Sequence, residues 1–183
     1  MRFGYPRQQK APYLCIADFF RPVDSGETDY AAFTIVTMGN EVTESANRLR
    51  LENKYQEYLV RHGMGVEMAE ALAEHWHHRI REEWGFADED GTLVNMLLRQ
   101  HYRGGRYSWG YPACPELEDH ETFFTVVPHD DIAVDLTEGY QLVPEQSTAA
   151  IVLHHPQARY FAVYGGGDSE SRGAPEPAVA ATA

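Results

Sequence analysis

The order of periodicities along the chain constrains its fold most: β-patterned runs, then a helical block, then β-patterned runs again. Tyr13 to Phe20 is almost continuously apolar, broken by Asp18, and reads as a buried strand. Tyr30 to Met38, rich in Phe, Thr, Ile and Val, reads as a second strand. A turn with Pro22 and Gly26 joins them, so a sequential antiparallel pair is the simplest expectation. Ile132–Leu136, Gly139–Val143, Thr148–His154 and Tyr160–Val163 are short strand candidates separated by turns. Such an order predicts an α+β fold: a single domain built on a curved, mostly antiparallel β-sheet with flanking helices.

Between the β blocks, Thr43 is suited to cap a helix that carries Leu51, Tyr55, Tyr58 and Leu59 to about Arg61. Gly63 and Gly65 permit a break there. From Val66 to about Trp84, Met68, Leu72, Trp76 and Ile80 recur every four residues and predict the core stripe. Glu70, Glu74, His77 and Arg81 form a separate polar face, and Gly85 is a stop signal. Leu93–Tyr102 and Glu116–Val127 are predicted as two further helices. Residues 1–12 read as a lead-in, 13–164 as the domain, and 165–183 as a disordered tail of Gly, Ser, Ala and Pro.

A length of 183 residues with 43% hydrophobic content supports one sizeable core. The net charge of −13 excludes a nucleic-acid footprint and opposes docking on an anionic membrane. No apolar run is long enough to span a bilayer. Two cysteines, Cys15 and Cys114, are too few for a disulfide scaffold and suit a reducing, cytoplasmic compartment.

The densest signal is Arg106-Tyr107-Ser108-Trp109-Gly110-Tyr111-Pro112-Ala113-Cys114-Pro115. Two prolines stiffen the backbone and Gly110 permits a conformation or close approach that a side chain forbids. It reads as a shaped loop, led by a guanidinium, suited to cradle a small zwitterionic or nucleoside ligand. His75 and His78 share a helix face, but no Cys or acidic group at ligand spacing completes a metal site. Cys114 lacks a sequence-adjacent base and reads as a packed thiol.

This segment, together with Ile16-Ala17-Asp18-Phe19-Phe20-Arg21-Pro22, Ala69-Glu70-Ala71, Trp84-Gly85-Phe86-Ala87, Leu136-Thr137-Glu138, His155-Pro156 and Arg159-Tyr160-Phe161, resembles the activation domain of cobalamin-dependent methionine synthase. The resemblance implies binding of S-adenosylmethionine and reductive methylation of cob(II)alamin to methylcobalamin, as part of a methyltransferase. It implies that Arg106 holds the methionine carboxylate and that backbone groups of Ser108 and Gly110 contact the nucleoside end. It places Tyr111 near the corrin face, Tyr160 along the same pocket and Glu70 against the ligand. Glu70 read from the helix alone is one acid of a solvated face, and Tyr160 read alone is core packing.

No Asp-x-His-x-x-Gly corrinoid signature occurs, so cobalamin is expected on another domain or chain, the cobalamin-binding domain being the implied partner. Flavodoxin or a similar electron donor is the second implied partner, with Arg99, His101, Arg103 and Arg106 as its basic docking patch. The family domain has a longer N-terminal portion carrying an acid for the ligand's amino group, so weaker S-adenosylmethionine binding is expected here. A stand-alone reactivator of another corrinoid protein and a ligand-free interaction remnant are the alternatives.

Overall fold

A computed structural model describes residues 1–97 and 99–164. The predicted tail, 165–183, lies outside the described residues. In chain order the elements are β1 (Ala32–Thr37), α1 (Asn40–Leu51), α2 (Tyr55–Trp84), α3 (Val94–Leu97), β2 (Gly105–Ser108), α4 (Asp119–Phe124), β3 (Asp135–Leu136), β4 (Leu142–Val143) and β5 (Ser147–Leu153). The main sheet runs β1-β5-β2, antiparallel throughout, and β3 and β4 form a small second sheet.

β5 is the middle strand and is buried on both faces, which is why Thr148–Leu153 is apolar except at its first residue. Its alternate residues Ala149, Ile151 and Leu153 join Tyr107 and Trp109 of the β2 segment in an aromatic core completed by Ile16, Phe19, Phe123, Phe161 and Val163. Phe33 and Ile35 of β1 pack against the same cluster. The other face of the sheet carries Thr148, Ala150 and Val152, paired in register with Val36, Thr34 and Ala32 on β1. Arg106 opposite Val152 and Ser108 opposite Ala150 share that face, because side chains alternate along a strand. α2 packs against β1 and β5.

α2 presents Gly65, Ala69, Ala73, His77 and Arg81 as its buried residues. Met68 and Trp76 are about half exposed, at 51% and 47%, so the predicted apolar stripe is not the core face. Small residues at four-residue spacing seat the helix closely, and a Cβ at Gly65 would stand 2.8 Å from both Gln146 Cγ and Val42 Cγ1. That same line carries His77 and Arg81 inward, to 0% and 1% exposure. Arg81 donates through Nε and Nη2 to the Asp90 carboxylate at 2.8 Å each, and its guanidinium lies 4.3 Å over the Tyr102 ring. His77 meets that ring edge-on at 4.8 Å. Burial pushes the Asp90 carboxyl up, but the Arg81 and His78 hydrogen bonds prevail and hold it below the usual aspartate range.

Several predicted boundaries move for identifiable reasons. The run 13–20 is no strand: it folds into a 3-10 turn, Ile16–Phe19, burying Ile16 and Phe19 three apart while Ala17 and Asp18 face solvent. The partner of β1 is therefore β5 and not its predecessor in sequence. The helical break falls at Glu52–Lys54, where Asn53 has φ +60°, and α2 runs unbroken through both glycines. Helix α1 starts at Asn40, and the Thr43 hydroxyl bonds Gln146 Oε1 instead of capping. Helix α3 stops before Gln100, at φ +58°, and α4 covers half the predicted length. The strand candidates 132–136 and 139–143 shrink to two-residue β3 and β4, and 160–163 pairs as no strand although Phe161 and Val163 are buried.

Arg81→Ala leaves the Asp90 carboxylate buried without its cation and is expected to cost about 3–5 kcal/mol by urea unfolding at neutral pH. Asp90 has a depressed folded pKa, so its contribution is full above the unfolded value and fades as pH falls through the folded one. The gap between wild type and variant should accordingly narrow below about pH 4. A gap constant with pH would assign the loss to packing on Tyr102 alone.

Candidate functional site

The segment 106–115 is half strand and half turn, which corrects its reading as a loop throughout. Gly105–Ser108 forms β2 at the edge of the sheet, and 109–114 closes on itself. Gly110 N–H donates to the Cys114 carbonyl at 2.8 Å, and Cys114 N–H to that of Tyr111 at 2.9 Å. Gly110 has φ +83°, and a Cβ there would stand 2.6 Å from Leu117 Cδ2, so both conformation and space require glycine. Val163 N–H donates to Pro112 O at 2.8 Å and ties the turn to the segment carrying Tyr160.

The register places Arg106 on the α2 side of the sheet, and the helix places Glu70 opposite. Arg106 Nη2 donates to Glu70 Oε2 at 3.1 Å, and Tyr111 OH approaches Glu70 Oε1 at 3.5 Å. Three of the six residues predicted for the site therefore meet directly. Burial, with the Glu70 charge next, pushes the Tyr111 phenol up. Tyr160 stands beside Tyr111; burial and that neighbour push its phenol up to about 12. Tyr160 also packs against the aromatic core, as its reading from the strand alone expects. Ser108 Oγ lies 3.5 Å from Thr148 Oγ1, and its main chain pairs opposite Ala150. Gly110 has already committed its N–H, leaving its carbonyl.

Behind Arg106 lies a residue that sequence reasoning left on the solvated face. Glu74 Oε2 is 4.0 Å from Arg106 Nη2, and Oε1 is 3.8 Å from both Arg81 Nη2 and His77 Nδ1. Glu74 Oε1 and both His77 ring nitrogens are buried without a hydrogen-bond partner. Burial pushes the Glu74 carboxyl up, while His77 and the two guanidiniums pull it down further, leaving it below the usual range. Burial lowers His77, against the opposing pull of Glu74. The spacing 70, 74, 77, 81 was the available signal: it adjoins the Gly65–Ala69–Ala73 line that must face the sheet.

The groove nearest the turn, of about 480 Å³, is lined by Trp109, Tyr111, Leu117, His120, Gln141 and Thr148, among others. Burial pushes the Cys114 thiol up to about 12, as a packed thiol requires. Of the predicted basic patch, Arg103 is engaged with Glu89 at 3.3 Å and stacked on Phe86, and Arg106 with Glu70; Arg99 and His101 are exposed. Among the described residues, no three His, Cys, Asp or Glu side chains converge to hold a metal ion, and no helix is long and apolar enough to cross a membrane.

Comparison with known proteins bears on this geometry. The chain is 47% identical over 172 residues to methionine synthase of Mycobacterium tuberculosis (strain ATCC 25618 / H37Rv), and 45% identical over 172 residues to that of Mycobacterium leprae (strain TN). Each alignment covers 88% of this chain but 14% of the relative's length. Among solved structures, the MetH reactivation domain bound to AdoHcy superposes with a TM-score of 0.80 at 31% identity, covering 87% of this chain and 51% of that one. The family described as vitamin B12 dependent methionine synthase, activation domain, matches residues 1–168. Sequence, family pattern and fold agree over nearly the same span, and the chain belongs to the methionine synthase activation-domain family.

Proposed function

We propose that this chain binds S-adenosylmethionine and presents its methyl group for reductive methylation of cobalamin carried by another domain or chain. The observation that carries the reading is the Arg106–Glu70 pair. One hydrogen bond of 3.1 Å joins a guanidinium on an edge strand to a carboxylate whose side chain remains 35% exposed. A ligand carboxylate can take both donors of the guanidinium fork, which a single bond from Glu70 leaves underused. Glu70, released, then faces the ligand's cationic groups. Tyr111 and Tyr160 supply flat apolar area with a polar tip beside the ribose and adenine, and the main chain of Ser108 and Gly110 supplies carbonyls at the turn.

The related solved domain was captured with AdoHcy, the demethylated form of this ligand, which supports the assignment. Bound cobalamin, once reduced by flavodoxin or a similar donor, supplies the nucleophile that takes the methyl group. The part left to this chain is to hold the sulfonium carbon in line and exclude competing geometries. Both cysteines are free and buried, in keeping with work in the cytoplasm.

Thermal unfolding with S-adenosylmethionine tests the proposal. A ligand at a hundred times its Kd stabilises by about 2.7 kcal/mol, a readable rise in Tm. Arg106→Lys keeps the charge but loses the planar fork, and affinity should fall at least about tenfold while the unliganded Tm holds. No stabilisation of the wild type at any concentration would instead favour the ligand-free interaction remnant. Gly110→Ala should destabilise the free chain by about 1–3 kcal/mol in urea and weaken the ligand too, since the turn and Tyr111 move together.

A further inference from the structure

The groove of about 480 Å³ beside the Gly110 turn carries unmet polar groups of its own. Its size suits a small-molecule ligand. Of the residues assigned above to the methyl donor, only Tyr111 lines it. The rest of its wall comes from Trp109 and from the chain after the turn, including Leu117, His120, Gln141 and Thr148.

Trp109 and His120 are both 3% exposed, and each has a ring nitrogen without a hydrogen-bond partner, Nε1 of Trp109 and Nε2 of His120. Buried polar groups are nearly always paired, so two unpaired ones along a single groove mark a place for a ligand. The two differ in kind. An indole N–H only donates. His120 Nδ1–H donates to the Tyr140 carbonyl at 2.8 Å, which fixes the proton on that nitrogen. Burial lowers the His120 pKa, against the pull of that bond. An uncharged ring with its proton on Nδ1 offers a bare lone pair at Nε2. The two rings meet edge to face with centroids 5.5 Å apart. One donor and one acceptor thus stand within the span of a single small group.

Charge narrows the choice. From Tyr107 to Ala158 the chain has no lysine or arginine, and Glu145 lines the groove. A carboxylate or phosphate would meet no cation there, and a carboxylate has no proton to give His120. An ammonium has no lone pair for the indole N–H. An uncharged primary carboxamide meets both needs, its carbonyl accepting from Trp109 and its N–H donating to His120.

We propose that this groove is a second binding site, beside the methyl-donor site and sharing Tyr111 with it, for a ligand bearing a primary carboxamide. Tyr111, Leu117 and Leu142 supply apolar wall for the group that carries the amide. Two sources offer this chemistry: a free heteroaromatic amide and the amide arms of a corrin ring. The site stands on its own residues and does not depend on the S-adenosylmethionine reading above.

The Trp109 indole N–H, assigned through its own backbone in a proton–nitrogen correlation spectrum of the full chain, reads the site directly. Nicotinamide should shift it, with an affinity at least about tenfold above that of nicotinate, which has the same shape but a charge and no N–H. His120→Phe should weaken nicotinamide about tenfold and leave S-adenosylmethionine affinity unchanged. Should His120→Phe not fold, the comparison of nicotinamide with nicotinate in wild type decides alone. Cyanocobalamin separates the sources. A shift at a lower concentration than nicotinamide requires assigns the amide to a corrin arm; no shift, with nicotinamide bound, leaves the free amide. An indole signal unmoved by both nicotinamide and cyanocobalamin, or nicotinate binding as tightly as nicotinamide, overturns the proposal.

Discussion

The close seating of α2 on the sheet determines the rest of the architecture. Gly65, Ala69 and Ala73 bring the helix against β1 and β5. A helix repeats every 3.6 residues, so a line of four-residue steps drifts slowly around its surface. The line that begins with small residues over the sheet continues as His77 and Arg81 beyond it. Buried polar groups need partners, and the chain between α2 and β2 supplies them: Asp90 for Arg81, and the Tyr102 ring between Arg81 and His77. Glu70 and Glu74, on the adjoining strip, are thereby aimed at Arg106. One packing constraint thus builds both the core contact and the charged enclosure.

Much of the fold class was legible because it rests on element order and on period. β1 and β5 were visible as apolar runs of the right length, and Gly85 as a helix stop with φ +82°. The face of α2 was not legible, for a physical reason. Hydrophobicity marks residues that gain by leaving water, whereas close approach is marked by residues with little side chain. Met68 and Trp76 score well on the first measure, and Ala69 and Ala73 decide the matter on the second. The run 13–20 failed differently: an apolar stretch of that length is ambiguous by period alone, and burial three apart at Ile16 and Phe19 distinguishes a tight turn from a strand. At the site, Arg106, Glu70 and Tyr111 came from motif resemblance and do converge, while Glu74 carried no motif and emerged only from the register of helix on sheet.

Placing Arg106 within β2 has consequences that a loop position would not. Its Cα is fixed opposite Val152 by the ladder, on an edge strand of the sheet. Only the turn that follows is specialised, with Gly110 and the bond from Val163 N–H to Pro112 O holding Tyr111 toward the same helix. The guanidinium thus comes from a rigid element and the aromatic wall from a shaped one.

An arginine held this way is already paired before a ligand arrives. A carboxylate arriving there would exchange with Glu70, and the free energy of that exchange is a difference between two charge-assisted contacts, not the strength of one. A plain carboxylate would be disfavoured in that exchange, because Glu70 would be released into an enclosure that already holds Glu74. The internal ion pair would thereby raise the threshold for simple anions at Arg106.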